Sequence, residues 1–172
     1  MVRCFVGVFL PEEIKAYILS LQELLRKMGL DCKFVEEENI HISMSFIGDV
    51  DDESVEVLKK SLDEFAYPKF PVSTGSVKLI PSEKFVRVIA VDVVGRMSEL
   101  QDAVVKKVGG DAKPPHITLC RVRSPLNPSQ VENIKSLVTN EVSFTVDSVD
   151  LVKSVVTRSG PVYESILKIN LR

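Results

Sequence analysis

The chain has no basic excess. Its 22 Lys and Arg stand against 24 Asp and Glu, for a formal net charge of −2. Proteins that grip long stretches of nucleic-acid backbone usually carry a surplus of cations, so indiscriminate binding to duplex or single strand is disfavoured; a local basic pocket is not. No apolar run reaches the ~18 residues that span a bilayer. The opening ten residues, Met1 to Leu10, are too short for a secretory signal and lack a small-residue cleavage site. A cytoplasmic location with no membrane partner is expected. Cysteine is scarce: Cys4, Cys32 and Cys120 are widely spaced, odd in number and in no C-x-x-C arrangement. That gives no sign of a disulfide framework or a zinc site and points to reduced, buried thiols. No linker, low-complexity tract or charge block divides the 172 residues. One folding unit over 1–172 is expected, with room for two small lobes sharing a core.

Hydrophobic periodicity predicts an α+β fold. Val2, Cys4, Val6 and Val8 alternate as a strand before Pro11, which suits a first helical turn because it has no N–H to leave unpaired. The next helix puts Ile14, Tyr17, Ile18, Leu21, Leu24, Leu25 and Met28 on one face and stops at Gly29. Strands are predicted at 33–36 and 40–47. A helix from Asp52 carries Val55, Leu58, Leu62 and Phe65 and closes at Pro68. Strands near 72–80 and 85–94, joined by a turn at Pro81 and Ser82, read as a hairpin. Met97, Leu100, Val104 and Val108 form a third helical stripe that ends at Gly109-Gly110. A strand at 116–122 follows. Asn127-Pro128-Ser129-Gln130 has the makings of a capped helix running to about Val138, and strands near 142–148, 149–156 and 162–171 finish the chain. The order lacks a strict βαβα rhythm, which favours antiparallel sheets with helices on their outer faces.

There are only two histidines, and both begin the same phrase: His41-Ile42-Ser43-Met44-Ser45-Phe46 and His116-Ile117-Thr118-Leu119-Cys120-Arg121. In a strand, residues two apart share a face. His41 and Ser43 then point one way, with Ile42, Met44 and Phe46 towards a core; His116 and Thr118 repeat the arrangement against Ile117 and Leu119. Each copy sets an imidazole, able to give or take a proton near neutrality, beside a hydroxyl able to donate to an oxyanion. A lone histidine beside a strand hydroxyl is ordinarily structural. Two copies, each ahead of a helix, suggest two related half-domains meeting at a pseudo-symmetric cleft that grips a tetrahedral anion. Arg121 is the candidate cation for that anion. Strict alternation puts it on the wrong face, so a bulge or a strand end must redirect it.

With these motifs the chain resembles the two-histidine phosphoesterase superfamily, specifically its RNA 2′,3′-cyclic phosphodiesterase branch, historically called 2′-5′ RNA ligase. Besides the paired His-x-(Ser/Thr)-x motifs, the family-like features are Arg3-Cys4-Phe5-Val6-Gly7-Val8, the phrase from His41 through Gly48, Arg121, and Gly160-Pro161-Val162-Tyr163-Glu164. The resemblance covers nearly the whole chain. It implies a bilobal fold of two pseudo-symmetric antiparallel sheets, with both histidines in a central cleft. One departure is Ser43, where threonine is commoner; the hydroxyl is kept without its stiffening methyl. The resemblance also implies His41 as general acid and His116 as general base, with Ser43, Thr118 and Arg121 on the phosphate. Phe5 and Tyr163 are further substrate-binding candidates. Arg3, Lys33, Arg87, Arg123 and Arg158 could add positive potential. No metal and no cofactor is expected, since two imidazoles suffice and no Asp/His cluster is visible. The expected partner of this monomer is an RNA 3′ end bearing a cyclic phosphate, tRNA fragments among the candidates, with nucleotide binding a further expectation. Other readings of the same site are 2′-5′ ligation, hydrolysis of a small cyclic nucleotide or a 2′-5′ oligonucleotide, and, in a different class, non-catalytic binding of RNA ends.

Overall fold

The computed structural model describes residues 1–172. Strand β1 (Val2–Phe9) leads through Pro11 into helix α1 (Glu12–Arg26). Pro11 stands just ahead of the helix rather than in its first turn, and its carbonyl accepts from the Ile14 and Lys15 amides. The buried face of α1 is Ile14, Ile18, Leu21, Gln22 and Leu25. Leu24, expected on that stripe, is exposed, and Gln22 takes its place because its amide donates to the carbonyls of Val35 and Leu119. Short β2 (Cys32–Phe34) and a 3-10 turn at Glu37–Asn39 precede β3 (His41–Val50). Helix α2 (Asp52–Asp63) is capped by the Asp51 carboxylate, which accepts from the Ser54 amide.

The hairpin β4 (Phe70–Ser82) and β5 (Phe85–Gly95) follows. Its turn is Glu83-Lys84, not Pro81-Ser82; proline lacks an N–H for the ladder, and Pro81 is accommodated inside β4 at a register shift. Helix α3 (Met97–Val108), β6 (His116–Val122) and α4 (Pro128–Lys135) come next. The Asn127–Gln130 capping box forms as expected. Helix α4 ends three residues before Val138, which is exposed and has no core to join. Strands β7 (Ser143–Val146), β8 (Ser148–Thr157) and β9 (Gly160–Asn170) complete the chain. No helix is long and apolar enough to cross a membrane.

The strands pair in the order β7-β4-β5-β6-β3-β1-β8-β9, antiparallel throughout, with β2 added to β6. The two expected sheets are thus halves of one curled, hydrogen-bonded sheet, pinched at its middle. Strands β3 and β6 meet in a single residue pair, Ile42 opposite Ile117. Each half contains a strand, a helix, a histidine strand antiparallel to the first, and a second helix: β1-α1-β3-α2 and β5-α3-β6-α4. Ile42, Met44, Ile117 and Leu119 join Val6, Val8, Ile18, Leu25, Leu100 and Val104 in one apolar core. Helix α1 reaches across to β6 and α3 to β3, so each helix ties its half to the other.

Candidate active site

Because Ile42 and Ile117 bury their side chains in the core at the central pair, the residues flanking them face the opposite, concave side. His41 and His116 therefore open into one cleft from the first positions of β3 and β6. The two rings are held alike. His41 Nδ1 lies 2.7 Å from the carbonyl of Asn39, and His116 Nδ1 lies 2.8 Å from that of Pro114. A carbonyl can only accept, so Nδ1 carries the proton in both rings, leaving Nε2 with its lone pair free in the neutral form. Burial lowers the pKa of each histidine below the ordinary imidazole value, the carbonyl bonds oppose this, and neighbouring positive groups add to it. His41 feels His116 and Arg121; His116 feels Lys78 and Arg121, while Asp92 pulls weakly the other way.

The two histidine strands also break register at the same step. Opposite β1, Ser43 pairs with Gly7 and Ser45 with Val6, so Met44 is an extra residue; opposite β5, Thr118 pairs with Ala90 and Cys120 with Ile89, so Leu119 is extra. Each bulge makes two consecutive residues point inward, Met44 with Ser45 and Leu119 with Cys120, all buried. A bulge re-aims every side chain beyond it. Arg121 is thereby returned to the cleft face, where its charge reaches both histidines and the Tyr163 hydroxyl. The same device corrects the reading of Phe46. Alternation assigned it to the core, but it is the cross-strand partner of Phe5 on the cleft face and is 49% exposed. Phe46 stands in the first half where Arg121 stands in the second.

Ser43 is exposed and Thr118 half-buried beside their histidines. Phe5 is buried, its ring centroid 4.8 Å from His41 and 4.9 Å from Tyr163. Tyr163 meets His41 edge-on at 5.4 Å. Phe5 thus packs behind the imidazole and leaves little surface for a base, whereas Phe46 beside it has surface to spare. Gly7 makes the close packing feasible: a Cβ there would lie 3.0 Å from the Phe5 ring and 3.3 Å from the His41 ring. Asn39 ties the arrangement to the β8–β9 hairpin, its amide donating to the Pro161 carbonyl at 2.8 Å. Among the other cations, Lys33 is the cross-strand neighbour of Arg121, while Arg3 is paired with Asp49 and Arg87 lies over the Phe85 ring. Arg123 lines a groove with Lys33, and Arg158 is exposed at the hairpin turn. No three His, Cys, Asp or Glu side chains are grouped to hold a metal ion.

Comparison with known proteins gives the family. The model of the LigT-like phosphoesterases matches residues 8–90 and 92–163, one histidine motif in each stretch. The chain belongs to that family. It is 30% identical to an RNA 2′,3′-cyclic phosphodiesterase of Methanothermobacter thermautotrophicus, over 94% of this chain and 95% of that one. A protein of the same name from Methanocaldococcus jannaschii is also 30% identical, over 95% of this chain and 98% of its relative. Among solved structures, one from Thermus thermophilus superposes with a TM-score of 0.81 at 25% identity, covering 99% of this chain and 98% of the other.

Proposed function

We propose that this LigT-like chain hydrolyses RNA 2′,3′-cyclic phosphate ends to 2′-phosphomonoesters, with His41 and His116 as the acid–base pair. The observation that carries the reading is the paired geometry: two imidazoles with equivalent tautomers, each beside a hydroxyl, flanking the one residue pair that joins β3 to β6. The curated relatives at 30% identity, named RNA 2′,3′-cyclic phosphodiesterases, support the substrate class.

Opening the ring needs a nucleophile and a leaving group on opposite sides of phosphorus. His116 Nε2 takes a proton from water as its oxygen bonds to phosphorus; the P–O3′ bond breaks, and His41, protonated, gives its Nε2 proton to the departing 3′ oxygen. The 2′ ester survives. Ser43 and Thr118 donate to the non-bridging oxygens, where charge gathers in the transition state, and Arg121 adds a guanidinium suited to two phosphate oxygens. Phe46 offers its exposed ring to the terminal base. The two imidazoles, both hydroxyls and the guanidinium all come from one chain, so the unit proposed is a monomer of one two-lobed domain, acting on the 3′ end of RNA in the cytoplasm. The test is incubation with an RNA ending in a 2′,3′-cyclic phosphate and separation of 2′- from 3′-phosphate products. Release of 2′-phosphate by the parent protein, and its loss in His41→Ala and His116→Ala, is the expected result; full activity in either variant overturns the assignment, and tight binding without turnover favours an RNA-end binding module.

A further inference from the structure

Lys33 and Arg121 are directly opposed across the β2–β6 ladder, so their side chains leave the same face of neighbouring strands. Neither ion-pairs with a carboxylate; the acidic partners of the nine ion pairs all go to other cations. The only hydrogen bond from the half-buried Lys33 Nζ runs to a neutral acceptor, the carbonyl of Ser159 at 3.1 Å in the turn between β8 and β9. That turn is shaped around it: Gly160 has φ +120°, and a Cβ there would stand 2.9 Å from Nζ. An ammonium has three donors, so two remain free. Two like charges side by side with no acid between them are costly until an anion joins them. Arg121 contributes to the potential at both histidines, but Lys33 is not among the groups that move either one. Lys33 lies on β2, opposite Arg121 and five residues along β6 from His116, so its charge stands at the Arg121 end of the cleft. Lys33 also lines a groove of about 450 Å³ with Arg26, Phe34 and Arg123, where the carboxylates present are those of Glu36 and Glu37.

We propose that Lys33, together with the outer side of the Arg121 guanidinium, forms a second phosphate subsite for the group attached to the 5′ oxygen of the reacting nucleotide. It is a specificity device: it distinguishes a nucleotide with a phosphate upstream, as at any RNA end, from a bare nucleoside cyclic phosphate. This rests on the RNA-end reading above. A phosphodiester and a terminal 5′-phosphate present the same chemistry to the two cations, and the substrates below separate them.

The experiment compares kcat/KM for adenosine 2′,3′-cyclic phosphate, the same compound carrying a 5′-phosphate, and the dinucleotide ApA with a terminal cyclic phosphate, in the parent protein, Lys33→Met and Lys33→Arg. The parent is expected to favour the 5′-phosphorylated compound over the bare one by roughly three- to tenfold, mostly through KM, and the preference should shrink as salt rises. The ratio should fall towards one in Lys33→Met and be largely kept in Lys33→Arg. A ratio unchanged in Lys33→Met overturns the proposal. So does a parent protein that favours the dinucleotide but not the 5′-phosphorylated mononucleotide, because the upstream nucleoside and not the phosphate is then being read. Binding of adenosine 2′-phosphate and adenosine 2′,5′-bisphosphate, measured alongside, tests the subsite without turnover. If none of the three compounds is hydrolysed, the functional reading fails; equal binding of the two products by the parent refutes the subsite on its own.

Discussion

Gly7→Ala is the sharpest probe of how the cleft is assembled, because the backbone at Gly7 lies outside the left-handed region and alanine adds nothing but one methyl group. That methyl would sit 3.0 Å from Phe5 Cε2, 3.3 Å from His41 Cδ2 and 3.3 Å from the Ile42 carbonyl. Ordinary carbon contacts lie at about 3.5–4.0 Å, so the Phe5 ring must retreat by roughly 0.5–1 Å and the His41 ring by a few tenths. Phe5 has little room to move, being buried between His41 and Tyr163. The displacement therefore passes into His41, whose hydrogen bond to the Asn39 carbonyl is already short at 2.7 Å. Overpacking of this kind costs about 1–3 kcal/mol, and for a chain of this size each kcal/mol lowers Tm by roughly 2–4 °C. Misplacing a proton donor by a fraction of an ångström should lower kcat by about ten- to a hundredfold. The second half supplies its own control. Ala90 pairs with Thr118 as Gly7 pairs with Ser43, so that half already carries the methyl group, and Ala90→Gly should affect stability more than turnover. The assay is a thermal melt with steady-state rates on an RNA cyclic phosphate. Parent-like kcat in Gly7→Ala, with Tm lowered or not, would refute the idea that the ring of His41 is placed by packing over β1.

Both histidine pKa values are lowered in the folded protein, so the bell-shaped profile of kcat/KM should peak below pH 6.5, rising as the base loses its proton and falling as the acid does; a rate that climbs steadily through neutrality contradicts the pair. Arg121→Ala removes a positive charge that depresses both values, so the surviving activity should have its bell displaced to higher pH. By the same linkage the unfolded chain takes up these protons first as pH falls through 6.5; stability should drop there, and less steeply in His41→Ala, in pH-dependent denaturant melts. Phe46→Ala should raise KM about five- to a hundredfold on RNA with a 3′-terminal base yet leave a base-free ribose cyclic phosphate almost unaffected, because stacking contributes ~1–3 kcal/mol per base; equal effects on both would remove Phe46 from base recognition. Asn127→Ala deletes the side-chain half of the α4 capping box, the bond that Asn127 Oδ1 accepts from the Gln130 amide, and should lower stability by about 1 kcal/mol in a denaturant titration.

Much of the fold could be read from the chain because its elements are amphipathic and well punctuated. The stripes of α2 and α3 and the capping box of α4 need only local spacing. Errors fell where tertiary partners outrank local pattern. Leu24 yields its place to Gln22 because two backbone carbonyls need a donor. Pro81 looks like a turn residue but sits in a strand at a break in register. The site shows the same division. The repeated His-Ile-hydroxyl phrase put each histidine and its hydroxyl on one face, since a two-residue period suffices for that. Arg121 and Phe46 lie beyond bulges, and a bulge depends on how two distant strands pair.

The sequence alone determined an α+β protein with two related halves, two histidine–hydroxyl pairs and a family resemblance, since these depend on residue order and periodicity within short segments. The mild acidity also has its meaning there: one phosphate at the end of an RNA asks for a local cation, not a basic surface. Only the tertiary structure decided which way the strands point after their third residue, that Arg121 faces the histidines with Lys33 at its side, and that Phe46 leaves the core. The physical reason is that a bulge, a cross-strand neighbour and the single pair joining β3 to β6 are relations between segments far apart in the chain. Composition and periodicity describe each segment separately, while the cleft is formed by their register.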